Sequence, residues 1–98
     1  MKFRFGDAKL QRLYTDTAAD GGYAPGIGPT FRRRIQTIDA AIDERTFYSL
    51  KSLRFEKLKG QRDHQYSMRL NDRWRLVLEL EGKGKDKIVA LISIEDYH

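Results

Sequence analysis

The residues of this chain that could do chemistry fall in two places, the stretch from Glu56 to Arg75 and the terminal Asp96-Tyr97-His98. A histidine titrates near neutrality and a carboxyl can be tuned towards it, so His98, Asp96, Tyr97 and Glu56 form a candidate acid/base set. Lys59, Arg62, Arg73 and Arg75 add cations that can offset charge developing on a phosphate. These are the residue types of metal-free RNA cleavage. One group takes the 2′-hydroxyl proton, another protonates the leaving 5′-oxygen, and cations surround the phosphorane-like transition state. Tyr97 could stack on an unpaired base, a contact worth about 1–3 kcal/mol in single-strand binders. A terminal Tyr and His are more often ordinary surface residues, so residue types alone do not establish a site.

Other chemistries find less support. The chain has no Cys, and neither Ser67 nor Ser93 sits in a Gly-flanked elbow. His64 and His98 lack metal-ligand spacing, so neither a metal nor another cofactor is expected. Glu95 and Asp96 are strand neighbours and point to opposite faces, so they are not a dyad by themselves. The Gly-rich stretch from Gly21 to Gly28 has no preceding strand and no following Lys-Ser or Lys-Thr, which makes it a connector and not a phosphate loop.

With 98 residues the chain is long enough for one domain, spanning 1–98, with a single two-layer core. A net charge of +5 and a pI near 9.6 favour an anionic partner, nucleic acid first. No apolar run approaches the roughly 20 residues that cross a bilayer, and the first residues lack a signal-peptide core. A cytoplasmic protein with no membrane partner is expected.

The elements that must position these residues read in order. Asp7 caps a helix over 8–19, with Leu10 and Leu13 on its buried face. Pro29 opens a second helix of about 17 residues, on which Phe31, Ile35, Ile38 and Ile42 make one apolar stripe. Its Arg32-Arg33-Arg34 run either binds phosphates or an acidic partner, or is a solvated helix start. Phe47, Leu50 and Leu53 suggest a short helix or turn beneath a sheet. Residues 65–70 and 73–80 alternate as a hairpin about Asn71-Asp72, and 88–94 form a third, central strand. In that strand Ile88, Ala90, Ile92 and Ile94 share one face. Phe3 and Phe5 could add an N-terminal strand. Helices on one face of an antiparallel sheet make a two-layer α+β fold, whose other face would display Arg69, Arg73 and Arg75 as a basic surface. Arg62, Asp63 and His64 read as a solvated turn, though Arg62, with Arg69 and Arg73, is also a candidate contact for an RNA strand.

Leu58-Lys59-Gly60, Tyr66-Ser67-Met68-Arg69, Asn71-Asp72-Arg73-Trp74-Arg75 and the terminal Glu95-Asp96-Tyr97-His98 resemble the HigB-type toxins, within the RelE/ParE superfamily of bacterial type II toxin–antitoxin systems. The resemblance covers most of the chain. It implies a RelE/ParE-like fold and an endoribonuclease that cuts mRNA in the ribosomal A site. It also implies a cognate helix-turn-helix antitoxin, with operator DNA reached through the toxin–antitoxin complex. Carried over by position, Lys59 is the cation of the Leu-Lys-Gly motif, Arg75 the Arg after the Trp, and Asp96, Tyr97 and His98 the catalytic terminus. One position departs: Glu56 stands where these toxins often carry a His. The unperturbed pKa of a carboxyl lies about two units below that of His, which leaves the proton-transfer role of this position open. Two other readings stay in view, a ParE-like gyrase inhibitor and a basic nucleic-acid-binding module without activity.

Overall fold

A computed structural model of the chain describes residues 1–18 and 20–96. Ala19, Tyr97 and His98, and with them the roles expected of the last two, lie outside the described residues.

The chain begins with strand β1 (Lys2–Phe5), followed by helices α1 (Ala8–Thr15), α2 (Ile27–Ala40) and α3 (Arg45–Ser49). Strands β2 (Glu56–Lys57), β3 (Gln65–Arg69), β4 (Trp74–Glu81) and β5 (Ile88–Asp96) complete a five-stranded sheet in the order β1-β5-β4-β3-β2. Helices packed on one face of this sheet make the expected α+β fold. The sheet is mixed and not wholly antiparallel, because β1 pairs parallel with β5. The whole intervening chain serves as the crossover that parallel neighbours require. Gly6 permits that junction: its N–H donates to the Leu91 carbonyl at 2.6 Å, and a Cβ there would also lie 2.6 Å from that oxygen.

Each helix ends where a polar group captures its backbone. Asp7 Oδ1 accepts the Leu10 N–H at 2.8 Å, as its N-cap role predicts. Helix α1 stops at Thr15, short of the expected 19, and Asp16 Oδ1 accepts the Ala18 N–H at 3.0 Å. That local bond offers the backbone an alternative to another helical turn. Helix α2 starts at Ile27, two residues before Pro29, with left-handed Gly26 (φ 88°) as its N-cap. Pro29 thus sits inside the first turn, where its missing N–H costs no helical bond. The Met1 ammonium donates to the carbonyls of Ile38 (3.0 Å), Asp39 (3.3 Å) and Ala41, placing a cation on the negative end of α2. The helix ends there, so Ile42 leaves the apolar stripe and is 91% exposed, against expectation. Leu50 is also largely exposed, whereas Phe47 and Leu53 are buried as expected.

Phe31, Ile35 and Ile38 of α2 are fully buried in one core with Leu10 and Leu13 of α1 and with Met68, Leu76, Leu78, Val89 and Leu91 of the sheet. The Arg run of α2 divides. Arg32 Nη1 donates to the Leu13 carbonyl at 2.9 Å and Arg34 Nε to the Arg69 carbonyl at 2.8 Å. These two tie α2 to α1 and to β3, so they are more than a solvated helix start. Arg33 is exposed.

Two strand expectations are corrected. The β3–β4 turn is not a two-residue turn with positive φ. Asn71 Oδ1 instead accepts both the Arg73 and Trp74 N–H groups at 2.8 Å, and Leu70 N–H reaches the Trp74 carbonyl at 2.9 Å. In β5 the alternation breaks. Val77 pairs with Ser93 but Leu78 pairs with Leu91, which leaves Ile92 as a bulge. Val89, Leu91 and Ile94 therefore all belong to the helix-side core. Ser93 and Glu95 are turned to the opposite face, where they pair with Val77 and Arg75.

Candidate active-site cleft

The cross-strand register on the face away from the helices assembles a site in two rows. Glu56, Ser67, Val77 and Ser93 are successive partners across β2, β3, β4 and β5. Arg69, Arg75 and Glu95 make the next row. Between β2 and the end of β5 lies a cleft of about 190 Å³, lined by Leu58, Arg62, Ser67, Arg75, Val77, Glu95 and Asp96.

Arg75 lies at the bottom of this cleft. Its side chain is only 8% exposed, Nη2 donates to the Arg54 carbonyl at 2.6 Å, and the same nitrogen is 3.5 Å from Glu56 Oε1. Arg54 holds its carbonyl there from a left-handed backbone (φ 45°), the one non-Gly positive φ among the described residues. A conformation of this kind costs on the order of 1–3 kcal/mol and persists only where its surroundings enforce it. The guanidinium is therefore held in place, a pre-organised and nearly buried positive charge. Glu56, on the short strand β2 that the sequence did not reveal, is half-exposed beside it. The fold thus brings Arg75 and Glu56 together, two residues 19 positions apart in the chain.

The remaining cations are distributed differently from the open basic surface expected. Arg62 is exposed in its turn, as expected, but it is also tied to the sheet. It grips Glu95 through two bonds, Nη1–Oε1 at 2.9 Å and Nη2–Oε2 at 2.8 Å, which clasps the Gly60–Arg62 turn to β5. Arg73 Nε donates to Asp96 Oδ2 at 2.8 Å, and Arg69 pairs with Asp72. Each of these three arginines thus faces a carboxylate, and the face is less positive than the bare count of arginines suggests. Lys59 is exposed just past Leu58 and is not part of the cleft lining. Asp96 is engaged by Arg73, but a carboxylate offers about four acceptor positions, so it can also orient an imidazole. His64 stays exposed, 3.8 Å from Glu79.

A family model described as the RelE-like toxin of type II toxin–antitoxin system HigB matches residues 3–98. The chain belongs to this HigB-like toxin family. No curated protein matches it. Among solved structures, the YoeB/ParE toxin from Agrobacterium tumefaciens has a TM-score of 0.57 at 18% identity, over 100% of both chains. At that identity the likeness speaks for the fold alone. Membership of a type II system implies an antitoxin as partner of this toxin. No helix among the described residues is long and apolar enough to cross a membrane.

Four residues of the toxin's cleft, Leu58 among them, were not singled out as site residues in the sequence. Glu95 reaches it only because the Ile92 bulge reverses the strand's phase. Val77 is an apolar residue on a face expected to be polar. Ser67 is 2% exposed, and its hydroxyl has no hydrogen-bond partner among the described residues. A buried hydroxyl left unmade costs about 1–3 kcal/mol. The only signal for Ser67 was its place as a small polar residue between Tyr66 and Met68.

The clasp sets a pH dependence. The Arg62 guanidinium holds the Glu95 carboxyl below its ordinary range, against the opposing effect of burial and with help from the Ser93 hydroxyl. A depressed folded-state pKa contributes stability above the unfolded value of about 4.3 and loses it as pH falls through the folded value. Urea unfolding of wild type and Glu95→Gln should therefore differ by a constant amount from pH 6 to 8. The difference should shrink below about pH 4. A difference that grows on acidification would contradict the clasp.

Proposed function

We propose that this toxin is an endoribonuclease that cuts mRNA on the ribosome and so arrests translation. The observation that carries the reading is Arg75, a nearly buried guanidinium fixed at the bottom of an open-face cleft with the Glu56 carboxylate 3.5 Å away. A rigid cation beside a proton acceptor is what 2′-hydroxyl attack on a phosphodiester requires.

In this reading Glu56 takes the 2′-hydroxyl proton and the 2′-oxygen attacks the adjacent phosphorus. Arg75, with Lys59 from the loop, offsets the charge gained by the non-bridging oxygens. His98, oriented by Asp96, gives its proton to the departing 5′-oxygen, and Tyr97 stacks on or positions the neighbouring nucleotide. The products are a 2′,3′-cyclic phosphate and a 5′-hydroxyl. Arg62, Arg69 and Arg73 would follow the strand by exchanging their carboxylates for phosphates. The antitoxin is expected to be a helix-turn-helix protein that also brings the pair to operator DNA.

Primer extension on a translated message is the test. The toxin should produce discrete stops that appear only when ribosomes translate the message. Inhibition of gyrase supercoiling without such stops would instead support the ParE-like reading, and neither effect would leave a binding module.

A further inference from the structure

We propose that Ser67 is a phosphate-binding residue of this cleft, its hydroxyl donating to a non-bridging oxygen of the same phosphodiester that Arg75 holds. The inference rests on the nuclease reading and adds a ligand contact to it.

Two serines lie on the open face of the sheet, and they differ. Ser93 Oγ donates to Glu95 Oε2 at 2.6 Å, so its hydroxyl serves the Arg62–Glu95 clasp. Ser67, unlike Ser93, lines the cleft, and its Oγ has no partner among the described residues although the residue is 2% exposed. Its position is central. Ser67 sits directly opposite Glu56 across β2–β3 and opposite Val77 across β3–β4, two residues along β4 from Arg75. Directly opposed strand residues hold their Cβ atoms within roughly 5 Å of each other, so a group bound between Glu56 and Arg75 is within reach of this hydroxyl.

The surroundings specify the ligand atom. Leu58 and Val77 make the apolar part of the lining and offer no hydrogen bonds. A guanidinium has donors only. A hydroxyl in the same lining, one row along the sheet, adds a second donor there, and an acceptor carrying negative charge such as a phosphodiester oxygen suits both. A buried group that meets its partner only when substrate arrives also discriminates strongly, because the bond is absent from the free protein.

The test compares Ser67→Ala with wild type in two assays, binding of an uncleavable 2′-O-methyl single-stranded RNA and cleavage of a translated message. Ser67→Ala should keep or raise the thermal midpoint, weaken RNA binding about tenfold and slow cleavage by at least as much. Ser67→Cys, similar in volume but a weak donor, should share the defect. Because a hydroxyl carries no charge, the slope of log affinity against log salt should stay as in wild type. Arg75→Ala should lower that slope by about 0.7. Binding and cleavage within twofold of wild type in Ser67→Ala would overturn the inference and leave the nuclease reading intact. A defect that depends on the base at the cut position would also overturn it, since the hydroxyl would then read a base. Wild-type toxin that cuts no translated message would remove the nuclease reading, and the inference with it.

Discussion

Arg75→Ala is expected to fold and to lose about 100- to 1000-fold in cleavage, the usual cost of removing one pre-organised donor from a developing oxyanion. The side chain is nearly buried, so the question is whether the fold survives. Truncation leaves the Arg54 carbonyl without the 2.6 Å bond it accepts and removes the neighbour of Glu56. Even a fully buried orphaned carbonyl costs only about 1–3 kcal/mol, and this one is partly exposed, so the loss stays below the roughly 5–15 kcal/mol that holds a domain of this size together. Circular dichroism and urea unfolding should show a folded but weakened protein, while growth arrest in cells without antitoxin should disappear. Arg75→Lys keeps a charge but not the planar fork, so it should recover only part of the activity. Arg45→Ala is the control. That arginine pairs with Asp43 on the helix side of the chain, outside the cleft, and its loss should leave arrest unchanged. Wild-type arrest by Arg75→Ala would mean that the cleft is not the site.

The second large effect concerns the layer that carries the cleft. Phe31 is 0% exposed on α2 beneath the sheet, and Phe31→Ala should cost about 3–5 kcal/mol in lost transfer energy and cavity. For a domain of this length each kcal/mol lowers the thermal midpoint by about 4–8 °C, so the loss should exceed roughly 12 °C. Ile42→Ala should change stability by no more than about 0.5 kcal/mol, since that side chain is 91% exposed. The two isolated by sequence periodicity as members of one stripe should thus behave oppositely. Calorimetry of both variants checks where α2 ends. Equal losses would restore Ile42 to the core.

What the sequence revealed, and what it hid, follows from the range of the forces involved. Local signals were legible: the Asp7 cap, the Phe31-Ile35-Ile38 spacing and the alternation of β3 and β4 each involve neighbours in the chain. The α2 terminus was not, because the Met1 ammonium that caps it lies 37 residues back along the chain. Nor was the Ile92 bulge, which follows from pairing with β4 and turns Ser93 and Glu95 to the open face. Strand β2 is two residues long and carries no periodicity at all. At the site, Arg75 and Glu56 were identifiable as chemistry-bearing residues, and their 3.5 Å approach needed the fold. The expected bare basic face was misjudged for a similar reason. Glu95, Asp96 and Asp72, which face Arg62, Arg73 and Arg69, are brought into place by strand pairing and by the turn.

The chemistry of the cut ends tests the central claim most directly. Message cleaved during translation by the wild-type toxin should carry a 5′-hydroxyl on the downstream fragment. The upstream fragment should end in a 2′,3′-cyclic phosphate or the 3′-phosphate derived from it. A single 2′-deoxy nucleotide on the 5′ side of the mapped cut should abolish cleavage there. Ends bearing a 5′-phosphate and a 3′-hydroxyl, or cutting that ignores the 2′-deoxy substitution, would contradict the account.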